Sequence, residues 1–242
     1  MSHKLPRKVL IAVTSHSAPF YPDGTPNGMF YTEVLHPYNA LTTAGFDVDL
    51  ASENGAYTLD PTSVGEQFMS ADDIAVLNDG AHPLNKMLAS LKKASEVKAV
   101  DYGIFFASAG FASVYDYPTA RHLQSIAENV WERGGVVSTV CHGGAILLGV
   151  KDAKTGKSII NGLKVTGFPT EGERLAGVLS RIEADGVLTI ENNAAKAGAT
   201  YIAPPSPFDD FTITNGRLVT GANPFSAYST AYGAIAAFDK PH

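Results

Sequence analysis

The chain of 242 residues is 45% hydrophobic and 17% charged, and its 18 basic and 24 acidic side chains leave a net charge of −6. This composition is typical of a globular protein, the length is compatible with one α/β domain over residues 1–242, and the lack of a basic cluster argues against nucleic acid or an anionic membrane as a partner. The one cysteine excludes an internal disulfide. The sequence has no Cys/His cluster of the kind that binds a metal ion. It shows no signal peptide and no apolar stretch long enough to span a membrane, so we expect a cytoplasmic protein.

The N-terminal part is typical of the opening of a doubly wound sheet. Residues 9–13 are continuously apolar and end in a polar loop, as a central parallel strand does. A loop rich in turn formers follows, and then a helix is predicted over 29–43 and a second strand over 46–52. The order strand, helix, strand predicts a mostly parallel sheet with helices on both faces.

The middle of the chain is predicted to contain a helical insertion and two more strands. Residues 54–98 alternate loop and helix signals without a good strand, so we expect a small helical insertion over one edge of the sheet. In it, Pro61-Thr62-Ser63 can start one helix, and His82-Pro83-Leu84 another that runs through Leu91. Strand character returns over 101–108, and a helix predicted over 119–133 stops at two glycines. A strand over 136–140 follows directly.

The predicted elements become shorter in the last third of the chain. A strand is predicted over 163–168, leading into a Gly-rich loop, and Thr189 can cap the helix that follows it. Two short strands flank Asn215-Gly216, which is a strong hairpin signal. Asn223-Pro224 then opens a closing helix, and no repeat or linker divides the chain.

The strand over 136–140 ends at Cys141, and Gly143-Gly144 turn the chain into an apolar, helix-forming segment. This arrangement has the mechanics of a nucleophile elbow, in which a tight turn pushes a side chain out over the end of the sheet and glycines relieve the crowding. The N–H groups at the start of a helix favour a thiolate. A lone cysteine is more often a small buried hydrophobe, but its place at the corner beside a histidine favours a nucleophile.

His142 and an acidic residue are candidates to complete a catalytic set. Adjacent side chains on a regular strand point to opposite faces, but at a strained elbow they can converge, so that His142 acts as general acid and base beside the thiol. A histidine used in this way needs a third group to fix its tautomer. Glu173 and Glu171 are both candidates on the loop after the strand predicted over 163–168, and a solvated surface carboxylate is the alternative.

Two further residues are candidates for a place near the thiol. Glu33 lies close to the buried stripe of the first helix, where desolvation raises the pKa of a carboxyl group so that it can donate a hydrogen bond to a thiolate. A partly exposed glutamate at the helix edge is an equal alternative. Gly110 ends the strand before the elbow strand, and its N–H and that of His142 can together bind an oxyanion, with an ordinary turn glycine as the alternative.

Several motifs, spread over nearly the whole chain, are together specific for a known family. They are Glu33-Val34-Leu35-His36-Pro37, Phe105-Phe106-Ala107-Ser108-Ala109-Gly110, Asp116-Tyr117-Pro118, Val140-Cys141-His142-Gly143, Thr166-Gly167-Phe168 with Gly172-Glu173, and Gly216-Arg217-Leu218-Val219-Thr220-Gly221-Ala222-Asn223-Pro224. The chain resembles the PfpI/ThiJ superfamily, with its class I glutamine-amidotransferase-like fold. Within it, the chain is most similar to the fungal branch of chaperone-like proteins with glutathione-independent glyoxalase III activity.

This resemblance implies a flavodoxin-like α/β sandwich, a homodimer and no organic cofactor. It also implies that Cys141, His142 and Glu173 form the catalytic triad and that Glu33 is the acidic partner of the thiol. The implied activity is that of a glyoxalase III-like lyase (D-lactate dehydratase type), which converts methylglyoxal or a related small carbonyl substrate to a 2-hydroxy acid. In that reaction the thiolate adds to the aldehyde, His142 moves a proton between the two carbons, and water releases the acid from a thioester.

The chain departs from the pattern of that branch at two places. Phe111-Ala112 stands where the branch commonly has a histidine and a glycine, and Gly143-Gly144 replaces the more usual Gly-Pro. An apolar Phe111 at the mouth of the site removes a polar contact and narrows the pocket. Two alternatives therefore stay open: a redox-sensing stress protein or holdase chaperone that uses the same oxidisable Cys141, and another thiol-dependent lyase or hydratase of the superfamily.

Overall fold

A computed structural model describes residues 5–240. In that range a seven-stranded sheet forms the centre of the molecule, and two further strands pair with each other outside it. In spatial order the strands of the main sheet are β3 (Lys92–Lys93), β2 (Asp47–Ser52), β1 (Lys8–Val13), β4 (Ile104–Ala107), β5 (Val136–Val140), β9 (Leu218–Gly221) and β8 (Thr212–Asn215). The separate pair consists of β6 (Lys164–Val165) and β7 (Thr200–Tyr201).

Neighbouring strands of the main sheet run parallel, except in the hairpin of β8 and β9. The hairpin confirms the Asn-Gly signal, since Asn215 pairs with Leu218 across the turn. From β1 the chain builds outward to β2 and β3, and it then returns to add β4, β5 and β9 on the other side. The strand order therefore reverses between β1 and β4, and the carboxyl ends of the strands at such a point form a crevice that binds ligands.

Helices cover both faces of the sheet. Within the described residues the α-helices are α1 (Thr32–Thr43), α2 (Ala71–Asn78), α3 (Pro83–Ala89), α4 (Ser113–Asp116), α5 (Arg121–Glu132), α6 (Thr170–Leu175), α7 (Leu179–Ala184), α8 (Ile190–Lys196) and α9 (Ala227–Asp239). None of the helices in this part of the chain is long and apolar enough to cross a membrane. Helices α1 and α9 pack on one face of the sheet and α5 and α8 on the other, which confirms the predicted α/β sandwich.

The alternation of side chains along β1 shows how the two cores form. Val9, Ile11 and Val13 lie in one core and Leu10 and Ala12 in the other, because successive side chains of a strand point to opposite faces. All five are fully buried, and burial of a Val, Leu or Ile side chain contributes about 1.5–3 kcal/mol. A strand covered on both faces has no polar side, which explains the continuous apolar run.

The insertion after β2 differs in part from the prediction. The 3-10 helix Pro61–Val64 and α3 lie where helices are predicted, whereas α2 has no counterpart in the prediction. The expectation of no strand over 54–98 is wrong, because Lys92–Lys93 pair in parallel with Ala51 and Ser52. A two-residue strand contains no hydrophobic period, and its lysines are typical of a sheet edge that must not pair with another chain.

Three details around the elbow also differ from the prediction. Residues 163–168 do not form a strand of the main sheet, because only Lys164–Val165 are extended and they pair with Thr200–Tyr201. The segment after the turn, Cys141–Leu148, is a 3-10 helix and not a regular α-helix, since glycines at its start have low α-helical propensity. Glu173 lies on α6, not on a loop.

Candidate active site

Cys141 lies at the carboxyl end of β5, where the chain turns sharply. Among residues 5–240 it is the one non-glycine residue with a positive φ, 56°, a conformation that costs about 1–3 kcal/mol. Gly143 makes the turn possible, because a Cβ atom there would lie 2.5 Å from the carbonyl oxygen of Ala107 on the neighbouring strand. The turn therefore has the geometry of the predicted nucleophile elbow.

The elbow brings Cys141 and His142 together, and α6 adds Glu173. The Sγ atom of Cys141 lies 3.3 Å from Nδ1 of His142, and Nε2 of His142 lies 3.3 Å from Oε1 of Glu173. All three residues are buried, with exposed fractions of 3%, 1% and 0%. Because a carboxylate only accepts hydrogen bonds, Nε2–H donates to Glu173 and Nδ1 keeps its lone pair toward the thiol.

Glu171 is the alternative acid, and it does not reach the histidine. Its half-exposed side chain pairs with Arg174 on the outer face of α6. Residues two positions apart on an α-helix point roughly 200° apart, so only one of these two glutamates can face the elbow. The residue that faces it is Glu173.

Glu33 is a second carboxyl group beside the thiol. It is fully buried on α1, and burial raises its pKa to about 8, although the Cys141 thiol and the backbone of Ala109 lower it. Neither carboxyl oxygen has a partner in good hydrogen-bonding geometry among residues 5–240. Burial and a charged Glu33 raise the pKa of Cys141, whereas the backbone N–H of His142 lowers it. Both groups therefore keep their protons around neutral pH, and once the neighbouring imidazole takes the thiol proton, a protonated Glu33 can donate to the thiolate.

The imidazole of His142 contacts two phenyl rings that also contact each other. The ring centroids of Phe111 and Phe168 are each 4.7 Å from that of His142. Both rings restrict the imidazole by van der Waals contact, and the face of an aromatic ring attracts a cation such as a protonated imidazole. Phe111 thus contacts the histidine directly as well as lining the cavity.

Gly110 lies at the end of β4 and lines the same cavity. Its φ is 146°, and a Cβ atom would lie 2.0 Å from the carbonyl oxygen of Gly28. Only glycine fits this position, because the conformation and the contact both exclude a side chain. In the described part of the chain no backbone carbonyl accepts a hydrogen bond from its N–H, which leaves that donor available to a ligand.

Thiol and imidazole open into a cavity of about 370 Å³. Aromatic side chains form much of its wall: Tyr21, Phe30, Phe68, Phe111, Phe168 and Phe208. Apart from His142, no basic or acidic side chain among residues 5–240 lines it. No cluster of three or more His, Cys, Asp or Glu side chains in that range could hold a metal ion. A mainly apolar cavity with a few converging polar groups is the usual form of a small-molecule site.

No family model matches the chain. The chain is 47% identical over 230 residues to the glutathione-independent glyoxalase HSP31 of Saccharomyces cerevisiae, a match that covers 95% of this chain and 97% of that protein. It is 46% identical over 232 residues to glyoxalase 3 of Candida albicans, with 96% and 98% covered. The chain belongs to the family of glutathione-independent glyoxalases.

Solved structures agree with membership of this glyoxalase family. The crystal structure of glyoxalase III from Candida albicans matches with a TM-score of 0.94 at 46% identity and covers 99% of each chain. A ThiJ/PfpI domain protein from Brachyspira murdochii matches with a TM-score of 0.62 at 13% identity, over 98% of this chain and 99% of that one, and so shares the fold alone. The predicted resemblance to the fungal glutathione-independent glyoxalases is confirmed, and the fold is shared with the ThiJ/PfpI domain protein.

Six of the residues singled out in the sequence come together in this member of the glyoxalase family. Four of them line the cavity, namely Cys141, His142, Gly110 and Phe111. The other two, Glu33 and Glu173, are fully buried next to the thiol and the imidazole.

Sequence reasoning missed most of the aromatic wall of this glyoxalase-family cavity. Tyr21 lies in the loop after β1, Phe168 precedes α6, and Phe208 precedes β8. Loop residues have no hydrophobic period, so the pattern of the sequence could not place these rings. The available signal is the presence of aromatic residues in loops that a rigid scaffold can bring together.

Proposed function

We propose that this protein converts methylglyoxal, or a related 2-oxoaldehyde, to the corresponding 2-hydroxy acid without glutathione. The observation that carries the proposal is the series of contacts from Cys141 Sγ through His142 to Glu173. These contacts supply a nucleophile, a proton carrier and an orienting carboxylate in one buried site. The names of the two glyoxalases to which the chain is similar support the same reaction.

The reaction begins with a bond between sulfur and substrate. The Cys141 thiolate adds to the aldehyde carbon, and the aldehyde oxygen takes up a proton to give a hemithioacetal. Nδ1 of His142 then removes the proton from that carbon and returns it to the neighbouring carbonyl carbon, while the hydroxyl proton of the hemithioacetal moves to the oxygen of that neighbouring carbon, so that a thioester of the 2-hydroxy acid forms. Water cleaves the bond between sulfur and carbon, which releases the acid and regenerates the thiol. The sum is the addition of one water to the 2-oxoaldehyde, so the reaction needs no external oxidant or reductant.

Four further residues assist these steps. Glu173 accepts from Nε2–H and so keeps Nδ1 toward the sulfur. Glu33 is protonated around neutral pH, because its pKa is raised to about 8, and donates to the thiolate or to a substrate oxygen. The N–H of Gly110, together with that of His142, binds the polarised carbonyl oxygen. Phe111 forms part of the substrate-binding wall.

Release of lactate from methylglyoxal in the absence of glutathione tests this function. We expect turnover by the wild-type protein and a loss of at least ~10³-fold in the Cys141→Ser variant, because a hydroxyl group is a much weaker nucleophile than a thiolate at neutral pH. Circular dichroism and thermal unfolding would show that the variant is folded. Wild-type protein that releases no more lactate than this variant, while a thiol probe still alkylates Cys141, would contradict the proposal.

A function as an oxidation sensor based on Cys141 would explain fewer features of the site than the glyoxalase reaction does. Oxidation of a thiol by peroxide needs no partner that carries a proton between two carbons, and so it gives no role to the buried pair of His142 and Glu173. Mass spectrometry after mild peroxide treatment distinguishes the two functions. Complete oxidation of Cys141 at low doses, without turnover of any 2-oxoaldehyde, would favour the sensor.

We also propose that the protein is a homodimer in the cytoplasm. A reducing compartment keeps Cys141 as the free thiol that the reaction needs, and the resemblance to the fungal glyoxalase III branch implies the dimer. Light scattering should give twice the mass of one chain, and a monomer at micromolar concentration would contradict the dimer.

A further inference from the structure

The cavity is much larger than a three-carbon substrate needs. Its volume of about 370 Å³ lies within the range of pockets that bind drug-sized ligands, about 300–1,000 Å³. The side chain of methylglyoxal is a single methyl group, which covers a small part of the wall. Most of the aromatic surface would stay in contact with water.

Aromatic contacts connect the reacting imidazole to the protein surface. From His142, ring contacts lead to Phe168 at 4.7 Å, then to Phe208 at 6.1 Å and Phe225 at 6.5 Å between centroids. Phe225 also contacts Phe68, another residue of the cavity wall, at 5.7 Å. Phe208 and Phe225 are 39% and 45% exposed. Apolar surface therefore extends from the reacting atoms to the mouth of the cavity.

The polar groups of the cavity wall favour a substrate whose side chain is neutral and apolar. The Tyr21 hydroxyl donates to Asp60 Oδ2 at 2.9 Å, and the Thr62 hydroxyl donates to Asp60 Oδ1 at 2.7 Å. Both hydrogens are thus already used within the protein, and the other polar side chain away from the reacting pair, Gln67, is exposed to solvent. A substrate side chain with a carboxylate, phosphate or hydroxyl group would lose its hydration without finding a buried donor.

We propose that the preferred substrates are 2-oxoaldehydes with a bulky apolar side chain, such as a branched alkyl or a phenyl group, and that Phe208 determines this specificity. The inference rests on the proposed function and names its substrate class. The bonds that form and break are unchanged: sulfur adds to the aldehyde carbon, the proton moves to the adjacent carbon, and water releases the acid. Only the side chain differs, and each methylene group buried against the wall strengthens binding about fourfold.

A series of 2-oxoaldehydes with methyl, hydroxymethyl, isobutyl and phenyl side chains tests the inference. We expect kcat/KM for the isobutyl compound to exceed that for methylglyoxal by at least ~10-fold, and the hydroxymethyl compound to be no better than methylglyoxal. The methyl and isobutyl compounds carry similar alkyl groups on the ketone. Their comparison is therefore free of the electronic effect that a phenyl group has on the carbonyl.

Phe208→Ala should lower kcat/KM several-fold more for the isobutyl compound than for methylglyoxal, because only the larger side chain reaches the ring of Phe208. Tyr232→Ala truncates an exposed aromatic side chain outside the cavity and should change neither value. An isobutyl preference that persists unchanged in Phe208→Ala would overturn the role of Phe208. Methylglyoxal turnover equal to or better than that of the isobutyl compound would overturn the inference and leave the proposed function intact. No turnover of any compound in the series would overturn both.

Discussion

The carboxyl group of Glu33 and the thiol of Cys141 are buried side by side, and burial raises the pKa of each. Two negative charges in such a place would repel each other strongly, because little water screens them. The folded protein therefore keeps a proton on Glu33 at pH values at which the unfolded chain has released it. This proton links the stability of the fold to the electrostatics of the site.

The proton on Glu33 predicts a pH dependence of the free energy of unfolding. An unperturbed glutamate titrates near pH 4.5, whereas the pKa of folded Glu33 is about 8. Between these values the folded state binds more protons than the unfolded state, so stability falls as pH rises and levels off above the folded pKa. Glu33→Gln has no carboxyl group to ionise. We therefore expect its free energy of unfolding to lack this fall. Relative to the wild type, the free energy of unfolding of the variant should increase by a few kcal/mol between pH 5 and pH 8.

Urea unfolding of both proteins at pH 5 and pH 8 measures this difference. The amide is nearly isosteric with the protonated carboxyl group, so the comparison leaves packing almost unchanged. A difference in stability that is the same at both pH values would show that Glu33 ionises in the folded state as it does in the unfolded chain.

Glu173 and Glu171 allow a matched test of the orienting carboxylate. Glu173→Gln removes the charge that faces Nε2 of His142, so kcat should fall by about 10²–10⁴-fold with little change in KM. Glu171→Gln changes the same residue type on the same helix, but at a half-exposed position paired with Arg174. Its kcat should equal that of the wild type. Steady-state kinetics with both variants decides, and a wild-type kcat in Glu173→Gln would exclude the orienting role.

The same two glutamates show the limit of what the sequence could predict at the site. Cys141 and His142 are adjacent, and a buried strand followed by two glycines indicated the elbow. Which glutamate faces it depends on the rotational phase of α6, a helix of six residues. So short a helix contains less than two full turns and no reliable hydrophobic period. The contact of Phe111 with His142 likewise depends on loop geometry that no local pattern encodes.

The same limit applies to the fold: long buried strands could be predicted from the sequence, and very short ones could not. The central strands were predictable because β1, β4 and β5 are buried on both faces; β1 and β4 are almost continuously apolar, and β5 is rich in β-branched residues. The strands β3, β6 and β7 have two residues each. Their pairing is decided by neighbours distant in the chain, and two residues contain no alternation from which to predict it.

The two glycines of the elbow should differ in their tolerance of a methyl group. A Cβ atom at Gly143 would lie 2.5 Å from the backbone oxygen of Ala107, which cannot move without disturbing β4, whereas at Gly144 it would lie 3.2 Å from a side-chain methyl group of Ile190, a milder contact. We expect Gly143→Ala to destabilise the protein by about 1–3 kcal/mol or more and to displace Cys141, and Gly144→Ala to cost less than about 1 kcal/mol.

Urea unfolding and turnover measure the two glycine variants together. Gly143→Ala should lose activity even under conditions in which it stays folded, because the thiol no longer lies beside the imidazole. Equal stability and equal activity of the two variants would show that the close approach to Ala107 is not required for the turn.

The ring of Phe168 should position the imidazole that moves the proton. Phe168→Leu keeps an apolar side chain but removes the flat face 4.7 Å from His142, so the imidazole gains freedom. We expect kcat to fall about 10-fold while KM changes less than twofold, because the contact matters for proton transfer more than for substrate binding. Phe168→Tyr restores a ring face and should recover most of the loss.

Phe30→Leu is the matched control for the positioning role of Phe168. Phe30 lines the same cavity and is similarly buried, but its ring contacts Phe68 and not His142. Its replacement should therefore raise KM and leave kcat nearly unchanged. If Phe168→Leu and Phe30→Leu had the same effect on kcat, or if Phe168→Tyr failed to recover activity, the ring of Phe168 would only line the cavity and would not position the histidine. A drop in kcat confined to Phe168→Leu ties the rate of proton transfer to the ring that holds the histidine.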